Sequence, residues 1–308
     1  MFPDHLSGDP YMTSFAQKHG IGVLLALSTG ISWGLVSPLA RMLADRGVDM
    51  LTVIFLRTII VSMIVGATIL YSRGREGFRA TRRDIPLLMA TAVMVVFTST
   101  GFLFSIKYLN VPIALLIHYL FPLATILGAL IFLREIPSRK QVTAGALVLF
   151  GLWVGLYDNN YFSQIQFSGL GIFWGLLAVI GLSGQSLLGR AAALRRLDYK
   201  KVVFYSNFMA LFMLGLFKLN FYGMSDILSI SLGDMSLILF IGLIGGALAS
   251  VAYYSSLRFI SSPLASLLCT SEIVVGMLGS SFLLKLAPSI PEFAGACIII
   301  YAIRLSLY

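Results

Sequence analysis

The stretch HYLFPLATILGALIFLREIPSRK, residues 118–140, decides how the chain folds. It opens on an imidazole and a proline inside apolar surroundings and closes on a burst of charge. No charged residue lies between Lys107 and Arg134. An uncharged run of that length exceeds the roughly 20 apolar residues that cross about 30 Å of hydrocarbon. The closing REIPSRK therefore reads as the turn where lipid ends. Pro122 carries no amide hydrogen, so the carbonyl of His118, four residues back, loses its helical partner. A bent helix with a free acceptor beside the imidazole is expected, and such spots line cavities where helices cross lipid.

The whole chain follows the same rule. Of 308 residues, 58% are hydrophobic and 11% charged, with a mean hydropathy of +0.92. Soluble domains carry about 25% charge, so a chain this apolar needs lipid as its solvent. Ten spans are expected: Gly20–Ala44, Val48–Ser72, Asp84–Tyr108, Val111–Leu133, Gln141–Tyr157, Gly169–Arg190, Val202–Phe217, Asp234–Leu257, Ser262–Leu284 and Ile290–Leu307. They are too long, and too uniform in polarity, for the roughly 10-residue alternating strands of a barrel. The fold class is thus an all-α integral membrane protein. Cys269 and Cys297 both lie in apolar runs and suggest no disulfide framework. The first 19 residues lack the order of a cleaved signal peptide.

Lysine and arginine orient the spans. With the N-terminus inside, the inner loops hold Lys18, the run Arg73 to Arg83, Arg134, Arg139, Lys140, the run Arg190 to Lys201, Arg258 and Arg304. The outer loops hold only Arg41, Arg46, Lys107, Lys218 and Lys285. Both termini are therefore expected in the cytoplasm. The basic inner loops suit anionic lipid better than nucleic acid.

The two halves also echo one another. Gly20, Gly22, Ser37, Arg41, Asp49 and Phe55 meet Gly169, Gly171, Ser186, Arg190, Asp198 and Phe204 at an offset of 149. At an offset of 151, Ser105, Lys107, Pro112, Ala114, Gly128, Pro137 and Ser138 meet Ser256, Arg258, Pro263, Ala265, Gly279, Pro288 and Ser289. Each half holds five spans, an odd number, so the second half enters the membrane from the opposite face. The expectation is two inverted five-helix repeats, the architecture of many secondary transporters, with cargo held near the midplane.

SWGLVSPLARML (32–43), FLRTIIVSMIVGA (55–67), residues 101–155 and AYYSSLRFISSPLASLLCTSEIVVGMLGSSFLL (252–284) resemble EamA-like members of the drug/metabolite transporter superfamily. The resemblance covers the chain after residue 20. It implies repeats at 20–157 and 169–308, a cytoplasmic segment 1–19 and a periplasmic connector 158–168. It further implies a bacterial inner-membrane protein that exports or exchanges amino acids and other small metabolites. The second copy departs from the pattern: Ile273 and Leu286 stand where the first half has Pro122 and Glu135, and Glu272 stands opposite Phe121.

A charge at the bilayer centre costs at least ~2.5–3.5 kcal/mol on insertion scales, so it needs a partner or a cavity. Arg57 could grip a substrate carboxylate in a bidentate fashion or belong to an internal ion pair. Glu272 could carry protons, take a substrate amino group, or pair permanently with Arg57 or Lys107. His118 could line the cavity, carry protons, or simply pack across the bundle. Trp33, Tyr119, Asn207 and Tyr253 complete the candidate substrate site, and Pro122 is the candidate hinge. Trp174, Gln185, Tyr205, Tyr254, Thr270 and Ser271 form a wider polar and aromatic set. Gly30/Gly34, Gly151/Gly155 and Gly242/Gly246 permit close helix approach. No lysine is followed by serine or threonine, which removes the Walker phosphate cradle. The scattered histidines give no metal-ligand spacing, and no cofactor is called for. The expected partners are a small-molecule substrate, the bilayer and candidate coupling protons. The alternatives are an importer of the same fold, or a membrane-embedded enzyme or regulatory subunit acting on lipid.

Overall fold

The computed structural model describes residues 10–157, 168–285 and 287–308. The connector expected at 158–168 lies outside these residues apart from Ser168, as do residues 1–9 of the N-terminal segment. All regular elements among the described residues are helical: α1 Pro10–Asp45, α2 Met50–Arg73, α3 Ile85–Tyr108, α4 Val111–His118, α5 Phe121–Gly128, α6 Arg139–Gly155, α7 Gly169–Leu194, α8 Tyr199–Phe221, α9 Leu232–Ile241, α10 Ala249–Ser256, α11 Ser262–Cys269, α12 Ser271–Leu283 and α13 Ile290–Ser306. A π-helical segment, Ala129–Leu133, extends α5, and a second, Gly242–Leu248, joins α9 to α10.

Helix starts are set by the same chemistry in both halves. Asp49 and Asp198 accept amides in the first turns of α2 and α8. Ser138 with Gln141, and Ser289 with Glu292, form reciprocal capping boxes on α6 and α13, satisfying donors that a helix start leaves free.

Eight segments among the described residues are long and apolar enough to cross a membrane: Gln17–Asp45, Met50–Phe78, Ile85–Tyr108, Val111–Leu133, Gly169–Leu194, Tyr199–Phe221, Leu232–Ser256 and Ser262–Leu283. The remaining two expected spans appear as α6 and α13, each 17 residues long. These two pack along glycines. A Cβ on Gly295 would lie 2.3 Å from the Gly151 carbonyl oxygen, so the backbones themselves are in contact.

The packing divides the molecule into blocks. α1 packs with α10, α11 and α12, whereas α7 packs with α3, α4 and α5. α2 lies against α8, and α6 against α13. Exchanging each first-half span for its second-half counterpart leaves this scheme unchanged. The loops also sort into two ends. At one, Arg73 pairs with Asp198, Lys201 donates to the Arg79 carbonyl, and Arg190 pairs with Glu135. At the other, Arg46 pairs with Asp234, and Lys218 with Asp226. These are the two groups that the charge count separates.

Lys218 corrects the sequence reading. The expected span ends at Phe217 and leaves Lys218 in a loop, but α8 runs on to Phe221. Lys218 is fully buried, with its ammonium 2.9 Å from the Asp226 carboxylate. Asp226 also accepts the Thr52 hydroxyl. The counter-charge lets the helix carry a cation through a position that would otherwise end it.

Gly295→Val should lower the melting temperature in detergent, by an overpacking penalty of about 1–3 kcal/mol. The same change at Gly20, where a Cβ meets nothing within 4 Å, should leave it unchanged. The Asp226 carboxyl is pushed up by burial, but the Thr52 and Lys218 hydrogen bonds outweigh this and hold it below the ordinary 3.8. A depressed carboxylate stabilises the fold above its unfolded pKa, and that contribution is lost as pH falls through the folded value. Acid melts of the native protein should therefore steepen below about pH 4, and Asp226→Asn should flatten that limb.

Candidate functional site

Two broken helices build the site. α4 stops at His118, the chain turns through Tyr119 and Leu120, and α5 resumes at Phe121. Pro122 occupies the first turn of α5, where its missing amide costs least. The second copy breaks at the matching place, Thr270, between α11 and α12. It does so without a proline. Thr270 keeps near-helical dihedrals, its hydroxyl turns back to the Leu267 carbonyl at 2.6 Å, and its amide bonds the same carbonyl.

These breaks bring Tyr119 and Glu272 together. The Tyr119 hydroxyl donates to Glu272 Oε1 at 2.6 Å, a short bond between the two halves. Tyr119 is buried and Glu272 half-buried. Glu272 makes no ion pair with Arg57 or Lys107; Lys107 lies instead over the Phe104 and Tyr108 rings. Small residues on α1 permit this geometry. A Cβ on Gly34 would lie 2.7 Å from the Glu272 carbonyl oxygen, and one on Gly30 would lie 2.1 Å from Ser271 Oγ. That Ser271 hydroxyl is buried and makes no hydrogen bond.

Trp33 links the parts. Its indole N–H donates to the Gly245 carbonyl at 3.1 Å, within the second π-helical segment. Its ring packs at 5.8 Å from Tyr253 and also against the cluster that contains Tyr119. Tyr253 in turn bonds the Ser186 hydroxyl. Arg57 reaches the same π segment: its side chain lies 3.4 Å from the position a Cβ on Gly246 would take. Among the described residues Arg57 is partly buried and has no hydrogen-bond or ion-pair partner. His118 is buried between Phe102, at 4.5 Å between ring centres, and Tyr119. Its Nδ1 has no partner.

Asn207 is buried, and its amide donates to the Val203 carbonyl of its own helix at 2.9 Å. Sequence reasoning also missed Ser186 as the partner of Tyr253, although the repeat singled out its match to Ser37. The π segment at 242–248 left only a faint sign, the pair Gly242 and Gly246.

Two interrupted helices thus meet inside the bundle, with Glu272 beside one break and Arg57, without a partner among the described residues, against the second π-helical segment. The chain belongs to the EamA-like transporter family, whose pattern matches residues 20–157 and 169–308. It is 26% identical over 198 residues to the "Uncharacterized inner membrane transporter YhbE" of Escherichia coli strain K12, an alignment covering 61% of this chain. The chain spans 59% of the length of that relative. It is 22% identical over 256 residues to the "Uncharacterized transporter YxxF" of Bacillus subtilis strain 168, covering 82% of this chain and 80% of that protein. A solved crystal structure shares the fold, with a TM-score of 0.76 at 16% identity over 92% of this chain and 96% of the other.

The Tyr119–Glu272 bond is open to a thermodynamic cycle. Tyr119→Phe, which leaves Glu272 without its partner, should lower thermal stability by about 1.5–3 kcal/mol, the range for hydrogen bonds to charged groups. In a Glu272→Ala background the same change should cost little, and the difference is the coupling energy of the pair. Strict additivity in detergent melts would mean the two side chains act independently.

Proposed function

We propose that this chain is a secondary active transporter of the bacterial inner membrane that exports amino acids or related small amphipathic metabolites by alternating access. One observation carries the reading: two mid-helix breaks, one from each half, meet through the Tyr119–Glu272 bond. In lipid, an interrupted helix is tolerated only where protein or a wet cavity satisfies the backbone. Breaks facing one another from two repeats are a substrate crevice of the transporter type.

The architecture proposed is ten spans, with α6 and α13 as the fifth and tenth. They form two inverted five-helix repeats at 20–157 and 169–308, with both termini cytoplasmic. The exchange symmetry of the packing supports the repeats, and the grouping of basic loops at one end supports the orientation. The site chemistry suits a zwitterion. Glu272 offers a carboxylate to an ammonium group, and Tyr119 can release it as the ammonium arrives. Arg57 offers a free guanidinium to a carboxylate. Trp33 and Tyr253 give the intervening carbon skeleton aromatic surface. Glu272 and His118 are the candidate proton carriers, and Pro122 fixes the hinge at which α4 meets α5.

Growth protection on overexpression against a panel of toxic amino-acid analogues should identify the cargo. Flux of that cargo in proteoliposomes should then vanish in Arg57→Ala and in Glu272→Ala while both variants still insert. Full flux in both would remove them from the site. If protons drive the cycle, collapsing the pH gradient should abolish accumulation against a concentration gradient. Unchanged accumulation would exclude proton coupling.

A further inference from the structure

At the basic-loop end the two blocks are joined by a charged contact that has no counterpart at the other end among the described residues. Glu135, just beyond the π segment that extends α5, accepts Arg190 Nε of α7 at 2.6 Å. Both residues belong to the block of α3, α4, α5 and α7. Together they hold the turn between α10 and α11, which belongs to the opposite block. Arg190 Nη1 donates to the Leu257 carbonyl at 2.7 Å, at the C-terminal end of α10. Glu135 Oε2 accepts the Ser262 amide at 3.3 Å and its hydroxyl at 3.2 Å, at the N-terminal end of α11. Each charge thus meets the helix end whose free backbone groups it complements: a cation on terminal carbonyls and an anion on terminal amides. Gly189 makes the approach possible, since a Cβ there would lie 2.7 Å from the Leu257 side chain.

The counterpart positions at the opposite end differ in kind. The counterparts of Glu135, Arg190, Leu257 and Ser262 are Leu286, Arg41, Ile106 and Val111. Arg41 is 64% exposed and pairs only with Asp45 on its own helix, whereas Arg190 is 18% exposed. Ser186, one turn before Arg190, is fully buried against Tyr253, but its counterpart Ser37 is exposed. α11 is buried at every residue, while its counterpart α4 buries only Ala114 and His118. Between the blocks, α11 packs on α5 and α7, and α10 on α7. The exchanged pairings, α4 with α12 and with α1, make at most marginal contact. The other ion pairs among the described residues lie within a block, within a loop, or among α2, α8 and their flanking turns.

We infer that Glu135, Arg190, Ser262 and the Leu257 carbonyl form a one-sided gate that closes the basic-loop end of the crevice. The opposite end opens without breaking a charged contact. The inference rests on the alternating-access reading and adds to it a resting state, open away from the basic loops.

Single cysteines at Ser37 and Ser186, in a chain whose Cys269 and Cys297 are replaced by alanine, test the gate. A membrane-impermeant maleimide should label Ser37→Cys in whole cells and leave Ser186→Cys unlabelled in inside-out vesicles. Adding Glu135→Gln should raise labelling of Ser186→Cys about tenfold or more, the scale of losing charge-assisted hydrogen bonds from one of two states. Ser262→Ala, which removes one hydroxyl, should raise it less, and it carries the test if Glu135→Gln fails to accumulate. The exchange Glu135→Arg with Arg190→Glu keeps an ion pair but turns each charge toward the wrong helix end, so protection should not return. Ready labelling of Ser186→Cys in the unaltered gate, or no rise in either gate variant, would overturn the inference. Accessibility is read without cargo. Gated labelling with no flux for any cargo would therefore refute the transport reading and leave the gate standing.

Discussion

The structure turns on one constraint: a backbone group in hydrocarbon must find its partner within the protein. The breaks at Tyr119–Leu120 and Thr270 meet it economically. Tyr119 N still reaches the Leu115 carbonyl, Leu120 N the Ile117 carbonyl and Thr270 N the Leu267 carbonyl. The chain changes direction without leaving those amides unbonded. What the breaks expose is side-chain chemistry, and Glu272 is the expensive part of it. A central charge costs at least ~2.5–3.5 kcal/mol, and a hydrogen bond to a charged group returns about 1.5–3 kcal/mol. The Tyr119 bond therefore offsets a comparable amount and holds Glu272 without locking it.

Much of this was legible in the residues. Uncharged runs located the long helices because lipid admits few charges. Asp49, Asp198, Ser138 and Ser289 marked helix starts because free amides need acceptors. Pro122 marked the first break because it cannot donate. The second break was not legible. Ile273 carries an amide, and Thr270 turns the helix by a back-bond that any threonine could make. Lys218 misled for a related reason: its partner Asp226 is eight residues on, and composition cannot say that the turn folds back to neutralise it. The partner of Glu272 was hidden as well. The sequence offered Arg57 and Lys107 on grounds of charge, whereas geometry chose a neutral hydroxyl from the other half. Asn207 was chosen for polarity within a span, but an amide there can serve its own helix.

Duplication explains why the halves share a frame, and divergence explains why they do not share a task. Serine and arginine persist at 37 and 41 and at 186 and 190, yet in the second pair Ser186 is buried and Arg190 half-buried, each bonded across the bundle, while the first pair is exposed. The carboxylates diverged in opposite directions: the first half keeps Glu135 at the end of its span, and the second holds Glu272 within one. One acid within a span and one at the end of a span give the two halves different contacts.

The glycine seam between α6 and α13 has a consequence for the surrounding lipid. At 1.5 Å per residue, helices of 17 residues extend only about 25 Å, less than the ~30 Å of a typical hydrocarbon core. Under the ten-span reading, the two shortest helices lie side by side, so their shortfall adds at one sector of the perimeter instead of being spread around it. Acyl chains beside that sector must compress, or flanking side chains must reach toward the headgroups. The protein would thus sit in a bilayer of uneven thickness, thinned along one flank, and bilayer thickness becomes a variable to which the chain is mechanically sensitive.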